Sequence, residues 1–274
     1  MPLVFAGACS HAPGITGRAE RADPAARDRF YAAMARMRAA LEAAKPDALV
    51  VVAAEHFANF FMNNMPPFAL GMSDAYDGPI EDERFLRITH RRIPGHRDLS
   101  ERLIRRVMDE VDVAYAEEWL LDHDIAVPLS FLTPRFDLPI IPANINCQGP
   151  PLAPLHRAYA FGRALRSAAN AVPERVALIG TGGLSHWPAT PNSGKINEAW
   201  DREFLRRWSA HDKAALLSYS DAETYREGGQ GGFEIRTFIA VAGAAAGTTG
   251  EVWCYEPIPI FAVGCTVAVM HLGQ

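Results

Sequence analysis

The stretch Ala48-Leu-Val-Val-Val-Ala-Ala54 is an uninterrupted apolar run that leads directly into Glu55 and His56. Its central valines favour extended backbone, and its length is typical of a buried strand. Working outward from this strand, two more largely apolar runs have the same character, Leu3–Cys9 and Arg175–Gly180. Polar or glycine-rich sequence bounds each run, so we expect all three to be strands of a central sheet.

Segments of helical periodicity separate these strands. In Ala25–Ala44, apolar side chains recur at three- and four-residue spacing, and Asp23-Pro24 offers an N-cap followed by a first-turn proline. Because strands alternate with helices and no linker divides the chain, we predict an α/β fold. It should be a single domain over residues 1–274, with a mainly parallel or mixed central sheet and helices on both faces. Further helices are predicted at Leu99–Met108, Leu155–Ala171, Asn197–Tyr219 and Glu234–Ala246.

The remaining segments are less regular. A long loop containing Pro66-Pro67 follows the second strand, and Val111–Ala116 is predicted to be a strand. Leu138–Ile145 is extended, and its two prolines place it near a sheet edge, because proline cannot donate to a strand ladder. The tail, Val252–Leu272, predicts two further strands.

Charge and composition exclude several classes of function. The chain has 274 residues, 49% of them hydrophobic, and a net charge of -5, which provides no basic face for nucleic acid. No apolar run approaches the roughly 20 residues of a membrane span. The four cysteines form no CxxC pair, which favours reduced, mostly buried thiols in a cytoplasmic protein. The acids Asp77, Glu81, Asp82 and Glu83 precede a basic cluster, a pattern typical of a solvated, mixed-charge surface.

Histidines follow the predicted strands. His11 comes after the first strand and His56 after the second, while His186 follows Arg175–Gly180 and the glycine-rich sequence beyond it. His123 lies between the Val111–Ala116 strand and a helix expected to begin near Ala126. The carboxyl ends of parallel strands share one rim, where ligands of α/β sheets gather. One such histidine alone would indicate a structural hydrogen bond, but four at one rim indicate a site.

A carboxylate completes the pattern. Glu234 follows the glycine-rich turn Gly228–Gly232 and has Phe233 and Ile235 as neighbours, where a charge needs a cation or hydrogen-bond donors. A first-turn glutamate favoured by the helix dipole is the simpler interpretation of that residue alone. Two histidines and one carboxylate form the facial triad of non-heme iron(II) oxygenases. The same groups can hold zinc in a hydrolase, so the residue types leave both metals open.

Six short motifs, in order along nearly the whole chain, resemble those of the class III extradiol ring-cleaving dioxygenases. They are Cys9-Ser-His-Ala-Pro13, Glu55-His-Phe-Ala-Asn-Phe-Phe61, Met65-Pro-Pro-Phe-Ala-Leu-Gly71, Asp122-His-Asp-Ile-Ala-Val-Pro-Leu129, Gly180-Thr-Gly-Gly-Leu-Ser-His186 and Glu234-Ile-Arg-Thr237.

The resemblance implies roles for individual residues. His11, His56 and Glu234 would bind Fe(II), His186 would be the catalytic acid–base residue, and His123 would line the pocket as a hydrogen-bonding or proton-transfer residue. The family opens catecholic rings with O₂, so we expect a muconate-semialdehyde-type product in aromatic compound catabolism. The substrate would be a protocatechuate- or gallate-like compound or another substituted catechol. The rival functions are a zinc-dependent hydrolase and a catalytically silent binding protein.

Three further expectations follow from the same resemblance. Glu55 stands where the family usually has aspartate, which could alter how His56 is positioned. Phe57, Phe60 and Met65 would contribute aromatic and thioether surface for substrate binding, although core packing explains most of that stripe equally well. No covering domain is fused to the chain, so a homo-oligomer or a small accessory subunit is expected to close the site.

Overall fold

The computed structural model describes residues 3–273. Its strands are β1 (Leu3–Cys9), β2 (Ala48–Ala53), β3 (Phe68–Gly71), β4 (Ala75–Gly78), β5 (Arg91–Pro94), β6 (Ala114–Ala116), β7 (Ile140–Ile145), β8 (Val176–Thr181), β9 (Gly250–Ile258) and β10 (Val263–Met270). Its α-helices are α1 (Gly14–Gly17), α2 (Pro24–Ala44), α3 (Glu83–Leu86), α4 (Arg97–Val107), α5 (His123–Leu132), α6 (Leu155–Asn170), α7 (Glu198–Ser209), α8 (Lys213–Leu216), α9 (Asp221–Gly228) and α10 (Ile235–Ala244). Short 3₁₀ helices lie at Ala19–Arg21, Gly231–Glu234 and Pro259–Phe261.

A mixed sheet organises the molecule, with the strand order β6-β3-β7-β2-β8-β1-β10-β9. The four central strands, β7, β2, β8 and β1, run parallel. Strand β3 pairs antiparallel with β7 and parallel with β6, whereas β10 is antiparallel to both β1 and β9. Helices α2 and α5 pack on one face of the sheet, and α4, α6, α7 and α10 pack on the other. The predicted fold class, a single α/β domain with helices on both faces, is confirmed.

Helix α2 forms where its sequence signals predict it. Asp23 is the N-cap, and its side chain accepts a hydrogen bond from the backbone N–H of Ala26, while Pro24 takes the first helical position. The apolar stripe that includes Phe30 and Met34 is buried against the sheet. Local capping and helical periodicity were therefore sufficient to fix this element.

The prediction of a sheet-edge position for Leu138–Ile145 was wrong. Strand β7 lies inside the sheet between β2 and β3, with Pro142 opposite Val51. The ladder between β3 and β7 reaches only from Phe68–Ile145 to Leu70–Ala143, one residue short of Pro142. A Cβ on Gly71 would lie 3.1 Å from Pro142 Cδ, so the proline ring faces the point where this ladder ends. Proline is tolerated here because the partner strand stops before its missing donor is needed.

Other predicted elements needed correction. The single helix expected over Asn197–Tyr219 is broken, because α7 ends at Ser209, His211 has a φ of 53°, and the Asp212 side chain caps α8 through the backbone N–H of Ala215. The loop after β2 contains an unpredicted strand, β3, and the strand expected over Val111–Ala116 is only β6. Within residues 3–273, no helix is long and apolar enough to cross a membrane.

The central strands determine where the histidines emerge. Strands β2, β8 and β1 are adjacent and parallel, with Cys9 opposite Thr181 and Val52 opposite Gly180. Their carboxyl ends therefore meet at one rim. Helix α5 also begins at this rim, at His123 rather than near Ala126 as predicted, because the Asp122 side chain caps it.

Candidate active site

Imidazole groups converge on one buried carboxylate at this rim. His11 Nε2 lies 3.4 Å from Glu234 Oε2, whereas His56 Nε2 and His186 Nε2 lie 3.5 and 3.7 Å from Glu234 Oε1. The His123 ring stacks on that of His56 with 4.2 Å between their centroids. Ring nitrogens of His11, His56 and His123 also lie within 4.8 Å of one another. The structure thus brings together the five residues that the sequence placed separately.

The Glu234 carboxylate lies at the centre of this group. Its residue is only 2% exposed and ends the 3₁₀ helix Gly231–Glu234, immediately before α10. The backbone N–H of Gly183 donates to Oε2 at 2.5 Å. Burial alone would raise the pKa of this carboxyl, but His11 and His186 hold the pKa well below its usual range. Glu234 is therefore an ionised oxygen donor facing neutral or cationic imidazoles.

Two of the imidazoles are held from behind by carboxylates. Asp122 Oδ2 lies 3.2 Å from His56 Nδ1, and Glu81 Oε1 lies 2.6 Å from His123 Nδ1. A carboxylate accepts the Nδ1 proton, so the Nε2 lone pair of each ring is directed inward. Burial opposes protonation of His56, but Asp122 and Glu234 raise its pKa well above the ordinary value. The prediction that Glu81 belongs to a solvated surface was wrong.

The other two imidazoles have neutral partners. His186 Nδ1 lies 2.9 Å from the carbonyl oxygen of Leu184, an arrangement that places the proton on Nδ1. His11 Nδ1 lies 3.3 Å from the hydroxyl of Thr181. Burial lowers the pKa of His11. For His186 burial also lowers the pKa, but the nearby Glu234 outweighs it and the pKa is raised.

Glycines on two sides make room for the His186 ring. A Cβ on Gly183 would lie 2.4 Å from the ring, and a Cβ on Gly231 would lie 2.2 Å from it. Real Cβ atoms do not approach so closely, so neither position can carry a side chain without displacing the imidazole. The two glycine-rich motifs of the sequence thus have a common physical purpose, because they enclose one catalytic candidate.

A network of acids shapes the loop around His56. Asp122 Oδ2 accepts the His56 backbone N–H at 2.8 Å, and Asp124 Oδ2 accepts the Glu55 backbone N–H at 2.7 Å. Glu55 has a φ of 46°, and its side chain accepts the backbone N–H of Phe57 at 3.1 Å. The Glu55 side chain thus stabilises the loop that follows it, and Asp122 supports His56.

The three predicted substrate-contacting residues are not among those that line the cavity beside Glu234. Phe60 packs edge-on against Trp119, with 5.3 Å between centroids, and lines a surface groove. Met65 lines another groove beside Phe68, and Phe57 is 39% exposed. The structure therefore does not bring Phe57, Phe60 or Met65 to the cavity beside Glu234.

The cavity beside Glu234 has a volume of about 200 Å³. Much of its apolar wall comes from the turn between β9 and β10, including Phe261 and Val263, which sequence reasoning missed. Strand β10 runs antiparallel to β1, so its start returns to the rim where β1 ends. The sequence did not indicate that β1 has an antiparallel partner, so it could not place this turn beside the histidines. The cavity is lined by His11, Ala12, Pro13, His56, His123, Gln148, Gly183, His186, Pro188, Gln230, Gly231, Glu234, Phe261, Ala262 and Val263.

Comparison with known proteins identifies the family to which this chain is similar. Residues 6–266 match the family described as "Catalytic LigB subunit of aromatic ring-opening dioxygenase". One relative, the 2,3-dihydroxyphenylpropionate/2,3-dihydroxicinnamic acid 1,2-dioxygenase of Cupriavidus necator, is 28% identical over 307 aligned positions, covering 95% of this chain and 92% of that protein. A Pseudomonas putida enzyme, 2,3-dihydroxyphenylpropionate/2,3-dihydroxicinnamic acid 1,2-dioxygenase 2, is 35% identical over 162 aligned positions, covering 58% of this chain and 50% of that protein.

A similar fold occurs in a solved structure, the crystal structure of uncharacterized protein JW3007 from Escherichia coli K12. It has a TM-score of 0.52 and 18% identity, and the match covers 83% of this chain and 86% of that chain. This likeness supports the fold alone. The family match, by contrast, spans nearly the whole chain. The protein therefore belongs to the LigB family and is an extradiol dioxygenase that opens aromatic rings.

Proposed function

We propose that the protein is an Fe(II)-dependent extradiol dioxygenase that cleaves a catecholic ring with O₂ to a muconate-semialdehyde-type product. His11, His56 and Glu234 would hold the iron. The observation that carries this proposal is the buried Glu234 carboxylate, which faces the Nε2 atoms of His11 and His56 at 3.4 and 3.5 Å. Bound Fe(II) would supply chelation of the two catechol oxygens and electron transfer between the ring and O₂.

The donor set fits such an ion. Glu234 supplies an ionised oxygen, and His56 is fixed by Asp122 so that its lone pair faces inward. Glu234 is buried and His56 is partly buried at the carboxyl rim of the parallel strands. Two nitrogens and one oxygen on one side would leave the opposite side open for substrate.

His186 would move the proton of the substrate hydroxyl. Its Nδ1 is held by the Leu184 carbonyl, which leaves Nε2 to accept a proton from the catechol and return it later in the reaction. The ring lines the cavity and cannot drift, because Gly183 and Gly231 enclose it. A proton-transfer group placed in this way typically contributes roughly 10²–10⁴-fold to the rate.

His123 would hydrogen bond to oxygen groups of the reacting molecules. It lines the same cavity, and Glu81 holds both its backbone N–H at 3.0 Å and its Nδ1 at 2.6 Å. Within residues 3–273, the imidazoles within 4 Å of the Glu234 carboxylate are those of His11, His56 and His186. His123 borders the proposed metal site, because its ring nitrogen lies within 4.8 Å of those of His11 and His56, and the resemblance to the family is what assigns it the hydrogen-bonding role.

Metal substitution tests this function against its rivals. The metal-free protein would be loaded anaerobically with Fe(II) or with Zn(II), and each form would be given catechols and O₂. We expect coloured ring-opened product with Fe(II) only. Ester or amide hydrolysis by the zinc form, without ring opening by the iron form, would indicate a hydrolase. Catechol binding without turnover in the iron form would indicate a binding protein.

We also propose that a second copy of the chain, or a small accessory subunit, covers the site. Phe61 and Met62 are 51% and 64% exposed on the loop after His56. The Met62 sulfur lies close to Gly149, beside the cavity residue Gln148. Light scattering combined with activity measured on dilution tests this proposal. A monomer with full specific activity at nanomolar concentration would contradict it.

A further inference from the structure

The cavity contains polar groups other than the histidines and Glu234. Gln148 and Gln230 line it and carry side-chain amides, whereas the remaining lining residues are glycine, alanine, proline, phenylalanine or valine. Within the described residues 3–273, no lysine or arginine lines this cavity. Recognition of a ring substituent must therefore come from neutral amides and apolar contact. This is an unusual environment for a substrate that carries a carboxylate of its own.

The surrounding charges make that environment still less favourable to an anion. Glu234 faces the cavity directly, while Asp122 and Glu81 lie immediately behind the rings of His56 and His123. One divalent cation would balance two of these three carboxylates, and a catechol that loses a proton adds negative charge. A further carboxylate on the substrate would have no lysine or arginine beside it among residues 3–273, and the imidazoles that line the cavity already face Glu234 or Glu81. Burying an unpaired charge is costly, and a like charge nearby adds to that cost.

The two amides are placed to recognise a neutral group. Gln230 Nε2 donates to the carbonyl oxygen of Pro188 at 2.9 Å, which fixes the amide and leaves its oxygen available. The backbone N–H of Gln148 is held by Asn146 Oδ1 at 3.1 Å, whereas its side-chain amide has no hydrogen-bond partner among residues 3–273. Gln148 can therefore donate to a substituent and accept from it. Hydroxyl and alkoxy groups match such an amide without bringing a charge.

We infer that the substrate of this enzyme is an uncharged catechol, with Gln148 and Gln230 as the residues that determine its specificity. The inference rests on the proposed function and names the substrate class of the same site. It also separates this chain from relatives such as the Cupriavidus necator enzyme, which is named for two carboxylic acids. The substituent would be compact, because the cavity has a volume of only about 200 Å³.

Steady-state kinetics of the Fe(II)-loaded protein test this inference. We expect kcat/KM for catechol, 4-methylcatechol and pyrogallol to exceed that for protocatechuate and 2,3-dihydroxyphenylpropionate by about tenfold or more. Anaerobic calorimetry with catechol and protocatechuate would show whether the difference lies in binding. A preference for the carboxylated compounds would overturn the inference and leave the proposed function standing. No ring opening of any catechol by iron-loaded protein would overturn the proposed function, and the inference with it.

Charge substitutions assign the specificity to the two glutamines. Gln148→Arg and Gln230→Arg each place a cation in the cavity and should shift kcat/KM toward protocatechuate by about tenfold relative to catechol. Gln148→Glu should shift kcat/KM toward catechol relative to protocatechuate. Asn192→Arg adds the same charge at an exposed position and should change kcat/KM for neither protocatechuate nor catechol. Iron content and circular dichroism confirm that each variant is folded and loaded. An unchanged preference in all three glutamine variants would refute their role.

Discussion

The two ends of the parallel strands carry cavities of opposite character. At the amino ends of β2 and β7 lies a cavity of about 400 Å³, lined by residues such as Leu41, Glu42 and Pro139. Its charged groups are largely solvated, and the Arg135–Asp137 ion pair, at 2.7 Å, joins side chains that are 76% and 55% exposed. The cavity at the carboxyl ends is half that size and contains Glu234, which is 2% exposed, among four imidazoles.

This contrast shows that cavity size does not locate chemistry. Exposed ion pairs contribute little to stability, because solvent screens their charges. Buried ionisable groups must be matched by partners, and those partners fix both charge and orientation. At the carboxyl rim the Nδ1 atom of each imidazole has a hydrogen-bond partner, and the rest of the ring faces Glu234 or the cavity. Substitutions at the two cavities test whether this arrangement, rather than available space, makes the smaller cavity the active one.

The largest effect is expected from Glu234→Ala. Removing the carboxylate that faces the Nε2 atoms of His11 and His56 should abolish iron retention and ring opening together. Metal analysis after desalting measures the first and product formation measures the second. Glu42→Ala makes the same chemical change at the larger cavity and should leave both values unchanged. Full iron content in Glu234→Ala would show that the metal is held elsewhere.

A smaller but still large effect is expected from His186→Ala. Because His186 would transfer a proton without binding the metal, kcat should fall by roughly 10²–10⁴-fold while iron content is retained. The matched control is His156→Ala, at an exposed position on α6. Single-turnover kinetics with preloaded iron separate chemistry from binding. A kcat within a few-fold of that of the parent enzyme would show that His186 has only a structural role.

Two adjacent glycines provide a sharper test. Gly231→Ala forces a methyl group to within 2.2 Å of the His186 ring, whereas at Gly232 the nearest atom to an added Cβ is 3.4 Å away. Displacing a catalytic group by about 1 Å can cost about 10²-fold, so we expect a loss of that order for Gly231→Ala. Gly232→Ala should stay close to the parent enzyme. Equal activities in the two variants would disprove the close enclosure of His186.

The smallest effect is expected from Glu81→Gln. The amide oxygen can still accept from His123, but the charge that stabilises its orientation is lost, so we expect a decrease in kcat of about tenfold with iron content unchanged. Glu81→Ala should lose more, because it removes the acceptor as well. Glu83→Gln, on the exposed side of the same segment, should have no effect. Equal kcat values for the Glu81 and Glu83 variants would show that Glu81 acts only as a solvated surface acid.

Sequence reasoning succeeded where the signal is local. The valines of β2, the Asp23-Pro24 cap of α2 and the apolar run of β1 specify their elements through nearest neighbours and backbone preference. Because the central strands are parallel, the residues after β1, β2 and β8 had to meet at one rim. The histidines were found on this basis, and Glu234 was found through the uncompensated charge in an apolar segment.

What the tertiary structure alone decided are the contacts between residues distant in the sequence. Glu81 reaches His123 across 42 positions, and Asp122 reaches His56 across 66. No local pattern distinguishes Glu81 from the solvated acids beside it, so only the packed chain could identify it as the partner of an imidazole. The aromatic loop after His56 gave the opposite result, because its composition suggested a binding wall while its path leads Phe60 and Met65 to other grooves.

The sequence by itself determined the α/β class, the strands that deliver the histidines and the membership of the extradiol family. These depend on periodicity, strand ends and short motifs, each of which is encoded within a few residues. Only the tertiary structure decided which residues line the cavity beside Glu234, which acids contact the imidazoles, and that Pro142 lies inside the sheet. The physical reason is that the partner of a side chain depends on the strand order and on the turn between β9 and β10. Both arise from contacts between distant segments, so no single segment specifies them.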